Sequence, residues 1–225
     1  MKRLKLTAIA GMLALASSAA SAADLQRVRG TIESSDGSSV VVKTADGKSE
    51  TIAISGAKFA WVVKSSLDEI KDGVFIGTAT KGDNPPTALE VVLFPESMRG
   101  TAEGHYPWDE IVDTTAGGTK TKSSMTNGTV KSSNSAAPKT KSSMTNGTVK
   151  SSAGEGGEKT LTVTYDKDGS KTIAVPAKAP IVAFEPADNS IVKPGSKIFV
   201  VAAKDGSKLE GKLVGVGKDG LTPPM

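Results

Sequence analysis

The 225-residue sequence contains no cysteine. Disulfides, thiolate metal ligands, cysteine nucleophiles and thiol-linked lipid anchors are therefore excluded. His105 is the single histidine, so a serine nucleophile would have one imidazole to draw on, and no GxSxG elbow is present to hold such a serine. P-loop and dinucleotide-binding glycine patterns are also missing. Asp109 and Glu110 are adjacent, which on an extended segment sends them to opposite faces instead of across a scissile bond. The chain is thus expected not to be an enzyme. Aromatic residues make up 4% of the sequence, too few for the stacking platform of a nucleic-acid groove, so no nucleic-acid partner is expected.

Long apolar runs are scarce as well. The one at the start, in "MKRLKLTAIAGMLALASSAASAADLQ", is about half the roughly 20 residues that a membrane span needs. Lys2, Arg3 and Lys5 precede it, and Ala20-Ser21-Ala22 follows as a small-residue cleavage site. That order predicts a secretory signal peptide over residues 1–22. The expected address is the periplasm or the outside of a bacterial cell, with no membrane span in the mature form.

The net charge of +4 is unevenly spread. Residues 23–115 hold 9 basic and 15 acidic side chains, a net of −6. Residues 116–154 hold six lysines and no acid, a net of +6, and residues 155–225 hold 10 basic and 9 acidic, a net of +1. The six lysines are Lys120, Lys122, Lys131, Lys139, Lys141 and Lys150. Diluted by Ser and Thr, they read either as a solvated linker or as a cationic strap for an anionic polymer or surface in the envelope.

What the sequence does have is short runs of Val, Ile and Thr bounded by turn residues, which predicts an all-β fold of small barrels or sandwiches. Strands are expected at 27–33, 39–44, 49–54, 59–63, 73–79 and 88–94. Asp36-Gly37 and Asp46-Gly47 supply hairpin turns between them. "SSLDEIKDG" carries the only short-helix signal in that block, with Ser66 in the N-cap place and Gly73 as the stop. The order then recurs. "TADGKSETIAI" resembles "DKDGSKTIAV", and "LDEIKDGVFIGTATKGD" resembles "NSIVKPGSKIFVVAAKDG", so two similar β units are expected.

One stretch, "KTKSSMTNGTVKSS", occurs twice unchanged, at 120–133 and 139–152. Within it "TNGTVKSS" matches "VRGTIESS" at 28–35, the first strand of the first unit. The copy at 145–152 lies nearer the second unit and closes a shorter loop, so it is expected to be the docked one. The copy at 126–133 is then surplus, able to compete for the same sheet position or to pair with another molecule as a strand-swapped oligomer. The expected division is a signal peptide (1–22), a first β unit (23–115), a flexible Ser/Thr/Lys-rich linker (116–144) and a second β unit (145–225).

Candidate site residues concentrate in "FPESMRGTAEGHYPWDEIVD", residues 94–113, expected as a connecting loop, where aromatic and charged side chains are a functional hint. Arg99, Tyr106 and Trp108 are the candidate ligand contacts. Glu103 and His105 alternate along an extended chain and so share a side. With Asp109, and with Glu96 or Glu110 as further carboxylates, they form the candidate site for a divalent metal such as zinc or copper. A packing role is the alternative, with Tyr106, Pro107 and Trp108 filling the gap between the units.

The turn order and the phrases "LFPESMRGTAEGHYPWD" and "GKDGLTPPM" resemble a group of uncharacterised exported bacterial proteins with small OB-like or related β-barrel domains. The likeness covers most of the mature chain and implies fold and export. Some members carry a metal-transport permease label, an activity not expected of a chain without a spanning segment beyond its leader. The leading functional expectation is a non-catalytic binding or scaffold module of the bacterial envelope. The alternative is a periplasmic metal-binding or metal-handling protein that uses the segment around His105.

Overall fold

A computed structural model describes residues 24–135 and 157–224. The expected leader and the second copy of the repeated stretch lie outside the described residues. The chain is all-β, and the described residues form thirteen strands in one connected sheet. They are β1 (Asp24–Ser35), β2 (Ser39–Thr44), β3 (Ser49–Ala53), β4 (Lys58–Lys64), β5 (Phe75–Lys81), β6 (Thr87–Leu93) and β7 (Gly104–Val112). There follow β8 (Lys120–Ser135), β9 (Lys159–Tyr165), β10 (Gly169–Val175), β11 (Ile181–Ala187), β12 (Lys197–Asp205) and β13 (Lys208–Gly217). The segment expected to start a helix at Ser66 is one 3-10 turn, Leu67–Glu69, and the Ser66 side chain makes no capping bond to it.

The pairings run β10-β9-β8-β5-β6-β11-β4-β13-β12-β1-β2-β3, and they close on themselves at both ends. Parallel contacts of β13 with β3 and of β6 with β10 complete two rings of five strands. The first ring holds β1, β2, β3, β13 and β12, and the second holds β8, β9, β10, β6 and β5. Each ring therefore draws strands from distant parts of the chain. Between the rings β4 and β11 pair antiparallel, while β4 runs parallel to β13 and β11 parallel to β6.

Hydrophobic alternation explains which faces turn inward. In β3 and just beyond it, Ile52 and Ile54 are buried while Thr51 and Ala53 are exposed, the two-residue period of a strand with one wet face. Val28, Ile32, Val40, Val42, Ile52, Ile198, Val200, Val214 and Val216 fill the first ring, with Ile191 from the turn Asn189–Ile191 closing it. Ile76, Val91, Val130, Leu161, Val163, Ile173 and Val175 fill the second ring, closed by Ile70 beside the turn at Leu67–Glu69. Each such side chain contributes about 1.5–3 kcal/mol when fully buried. β5 and β6 are buried on both faces, because the second ring's core covers one face and side chains from β7, β8 and β11 cover the other.

Two sequence expectations are corrected by the middle of the chain. Residues 104–112, expected as a connecting loop, form β7. Residues 120–135, inside the expected linker, form β8. The expectation that residues 145–152 dock falls outside the described residues, and the position foreseen for them is filled by residues 126–133, between β5 and β9. Loop length favoured the nearer copy, but each doubling of a loop costs only about 0.6 kcal/mol. Both copies carry the same residues and could pair with β7 alike, so what distinguishes residues 120–135 is their short connection to β7, residues 113–119. A tight turn joins these two strands. The Asp113 carboxylate accepts from Thr115 N (2.9 Å), Thr115 Oγ1 (2.6 Å) and Ala116 N (3.0 Å), and it also pairs with Lys81. The Lys81 bond, ahead of those from Thr115, holds the Asp113 carboxyl down at about 2.

Deleting residues 136–154 is expected to raise stability by about 1.5 kcal/mol, because it cuts the β8–β9 connection from residues 136–158 to a hairpin loop of residues 155–158. It preserves every β8–β9 pair from Thr129↔Thr164 to Ser135↔Lys159. Urea unfolding of the two chains measures the difference. A loss of stability would mean that the deleted residues make contacts that hold the fold.

Candidate functional site

β7 is the element that builds the site. Its pairing with β8 is interrupted between Pro107↔Ser124 and Glu110↔Lys122, so three steps on β7 face two on β8. Such a bulge bends a strand and re-aims its side chains. Pro107 has no amide hydrogen to give the ladder, which favours a break there, and the Ser123 hydroxyl donates to the Asp109 carbonyl across it at 2.7 Å. The bulged residues Trp108 and Asp109 reach over to β1. The Asp109 carboxylate accepts from Arg27 Nη1 at 3.0 Å and from Arg29 Nη1 at 2.8 Å. The Arg27 guanidinium carbon lies 3.7 Å from the centre of the Trp108 ring, a cation–π stack.

Beneath this bridge is a cavity of about 540 Å³, the size of an ordinary small-molecule site. Phe94, Phe184, Phe199, Tyr106, Trp108 and Met125 supply its apolar walls, with Val201 and Leu213 beside them. Phe94 and Phe184 meet edge to face at 5.2 Å, and Tyr106 and Trp108 are 6.1 Å apart between ring centres. Polar groups on the walls are few. Asn127 donates through Nδ2 to the Thr101 carbonyl (3.3 Å) and to the Tyr106 hydroxyl (3.2 Å), and Tyr106 donates to the Ala102 carbonyl at 3.2 Å. Burial raises the Tyr106 phenol above its ordinary range, and the nearby charge of Arg27 opposes that rise. Two buried polar atoms on these walls have no hydrogen-bond partner, Trp108 Nε1 and Asn127 Oδ1. The exposed rim carries Leu25, Lys58, Ala102, Glu103 and Lys212. A second hollow, of about 680 Å³ between residues 64–68 and 177–182, has no aromatic ring in its walls.

The candidate residues read from the sequence separate on this geometry. Tyr106 and Trp108 line the cavity. Arg99 does not. It is held by Glu96 through bonds of 2.6 and 2.7 Å, by the Gly73 carbonyl at 2.8 Å and by Thr129 Oγ1 at 3.1 Å, tying the turn Glu96–Met98 to β8. The three candidate metal ligands diverge. Glu103 sits on the cavity rim, Asp109 is bound to the two arginines, and His105 Nδ1 lies 2.9 Å from Thr126 Oγ1 with its ring 6.1 Å from that of Tyr165. Desolvation, then the charge of Lys171, lowers the His105 pKa against a smaller opposing pull from Asp83. Among the described residues no three His, Asp or Glu side chains come together as a metal would need. Lys120, Lys122 and Lys131 are exposed on β8, and Lys139, Lys141 and Lys150 lie outside the described residues.

Sequence reading missed Arg27, Phe94, Asn127, Phe184 and Phe199, which come from five different strands or their ends. Asn127 carried one legible signal, its place in the repeated "TNGTV" where the parallel phrase at 28–32 has Arg29. Among the described residues no helix is long and apolar enough to cross a membrane. No protein-family model, no curated protein and no solved structure matches this chain.

Proposed function

We propose that this protein is an exported, non-catalytic binding module made of two interlocked OB-like barrels, and that a small, largely apolar molecule occupies the cavity under β7. The observation that carries the reading is the cavity itself, walled by aromatic rings and bearing a buried donor, Trp108 Nε1, and a buried acceptor, Asn127 Oδ1, both without partners. Unpaired buried polar groups are costly, and a ligand with an acceptor and a donor would satisfy both. Among the cavity residues Glu103 is the only carboxylate and no histidine is present. That set suits binding better than acid–base chemistry.

Strand order supports the barrel part of the proposal. Each ring joins three consecutive strands to two from elsewhere in the chain, β1-β2-β3 to β13 and β12 and β8-β9-β10 to β6 and β5, with β3 parallel to β13 and β10 parallel to β6, the strand order of an OB-like barrel. Registers repeat between the rings. Gly30 stands opposite Ile198 as Gly128 stands opposite Ile76, and Val214 opposite Phe59 as Val91 stands opposite Ile181. Carrying Phe59 onto Ile181 carries Val62 onto Phe184, and those two residues pair with each other. A two-fold axis through that pair accounts for two copies of one unit that have traded their last two strands. Among the described residues β7 has no counterpart in the second copy, so it makes the cavity one-sided. The predicted leader at residues 1–22 and the resemblance to exported barrel proteins support an envelope address for the module.

N-phenyl-1-naphthylamine, an uncharged aromatic probe, tests the binding. In Trp61→Phe protein, where Trp108 is the remaining indole, saturable quenching of tryptophan emission with one site per chain is expected. Val201→Trp, which puts a bulky ring into the cavity, is expected to abolish it. Absence of saturable binding, or binding indifferent to Val201→Trp, overturns the proposal.

A further inference from the structure

Resting on that reading of the cavity, we propose that its ligand is an amphiphilic anion, an aromatic or alkyl body in the cavity with a single carboxylate or sulfonate head held at the rim by Lys58 and Lys212. The charged residues around the cavity are Arg27, Lys58, Lys212 and Glu103, three cations to one acid. Arg27 is committed to Asp109 and to the face of Trp108. The other two cations are available. Lys58 has no ion pair among the described residues. Lys212 holds Glu210 at 3.1 Å, but both side chains are more than half exposed, and such a pair is worth little and is easily exchanged.

Register places the two lysines together. Lys58 stands opposite Leu213 in the parallel pairing of β4 with β13, and Lys212 is the next residue on β13. The pair thus lies at one part of the rim, while Glu103 precedes β7 on another element. An anion near the lysines keeps its water contact and leaves its apolar body to the rings of Phe94, Phe184 and Phe199. Among the cavity residues a cationic amphiphile would find one carboxylate, Glu103, and would face the two lysines. Charge complementarity at an exposed rim selects the sign of the ligand without having to supply most of the affinity.

A matched pair of probes separates this inference from the reading beneath it. N-phenyl-1-naphthylamine and 8-anilino-1-naphthalenesulfonate share one ring skeleton and differ by the sulfonate. The sulfonate is expected to bind about tenfold more tightly at low ionic strength, equivalent to about 1.4 kcal/mol. The gap should shrink toward parity in about 0.5 M salt, as screening of exposed charges requires. Lys58→Ala with Lys212→Ala should remove the preference and leave binding of the neutral probe unchanged. Lys120→Ala with Lys122→Ala, on exposed β8 positions away from the cavity, should leave the preference intact. Equal affinity for the two probes, or a sulfonate preference that survives loss of both rim lysines, overturns the inference while the apolar cavity stands. Failure of both probes to bind overturns the cavity reading and this inference together.

Discussion

Glu90→Gln is expected to be more stable than the natural protein at pH 8, by on the order of 3 kcal/mol, and equal to it near pH 4. Glu90 lies on β6, 2% exposed, with Oε1 unpartnered. Burial raises its pKa to about 7, and the charge of Arg29 offsets only part of that rise. The sign follows from proton counting. Below pH 4.5 the carboxyl is protonated in folded and unfolded chains alike, so no penalty applies. Between about 4.5 and 7 the unfolded chain releases the proton while the folded chain keeps it, and stability falls as pH rises. Above about 7 the full cost of a buried carboxylate is present, about 1.4 kcal/mol for each tenfold by which folding tightens the proton's hold. A glutamine of the same shape carries no charge and escapes the cost. His105, whose lowered pKa makes stability rise over part of the same window, is common to both proteins and cancels in their difference. Urea unfolding from pH 4 to pH 8 measures it. A difference that does not grow through that window would show that Glu90 ionises freely where it sits.

The same residue shows which part of the molecule was open to sequence reasoning. Alternation along β6 places Glu90 on the face of Val92, away from the second ring's core, and "TALEVVL" alone reads as a strand with one polar position. It does not read as a carboxyl sealed inside, because Arg29 and β7, which sit over that face, come from elsewhere in the chain. Most strands of the first block, from 39–44 to 88–94, were legible for a local reason. Period-two hydrophobicity and Asp-Gly turns are written into neighbouring residues. That each ring draws strands from distant parts of the chain was not, since β1 pairs equally well with any strand whose inward residues match, and Val200 and Val214 offer no mark of which ring they complete.

The site divides in the same way. Tyr106 and Trp108 stood out as aromatics in a polar segment and do line the cavity. Asp109 looked like a metal ligand because its partners, Arg27 and Arg29, lie some 80 positions earlier. His105 looked like a ligand because it is the only imidazole, and a neighbouring hydroxyl uses one of its ring nitrogens instead. β7 itself was read as a loop. Its Pro107 and its mixed polarity are poor strand signals, and only the tight turn at Asp113, joining it to β8, makes it a ladder partner.

In the chain shortened by deletion of residues 136–154, Gly30→Ala and Gly128→Ala are each expected to cost about 3 kcal/mol or more. At both glycines the next strand presses its backbone against the α-carbon. A Cβ would lie 2.1 Å from the Lys43 carbonyl oxygen at Gly30 and 2.3 Å from the Thr164 carbonyl oxygen at Gly128. Neither oxygen can withdraw without breaking its ladder, so overpacking is relieved only by local opening. In the full-length chain the two substitutions are expected to differ. Residues 139–152 repeat 120–133 without a change, with Gly147 in the place of Gly128. Seating that copy in the β8 position would lengthen the β7–β8 connection from residues 113–119 to 113–138 and shorten the one before β9. Those two loop terms nearly cancel. What remains is the Asp113 turn, worth about 1–2 kcal/mol for its several hydrogen bonds. That is less than the clash at Gly128, so the substituted copy should yield the position to the intact one. Gly128→Ala should then cost only about 1–2 kcal/mol in the full chain, while Gly30→Ala, with no spare copy, keeps its full cost. Adding Gly147→Ala to Gly128→Ala should restore the full loss. Equal costs for Gly30→Ala and Gly128→Ala in the full chain would mean that the turn at Asp113 commits the first copy alone, and that the second serves only to lengthen the connection.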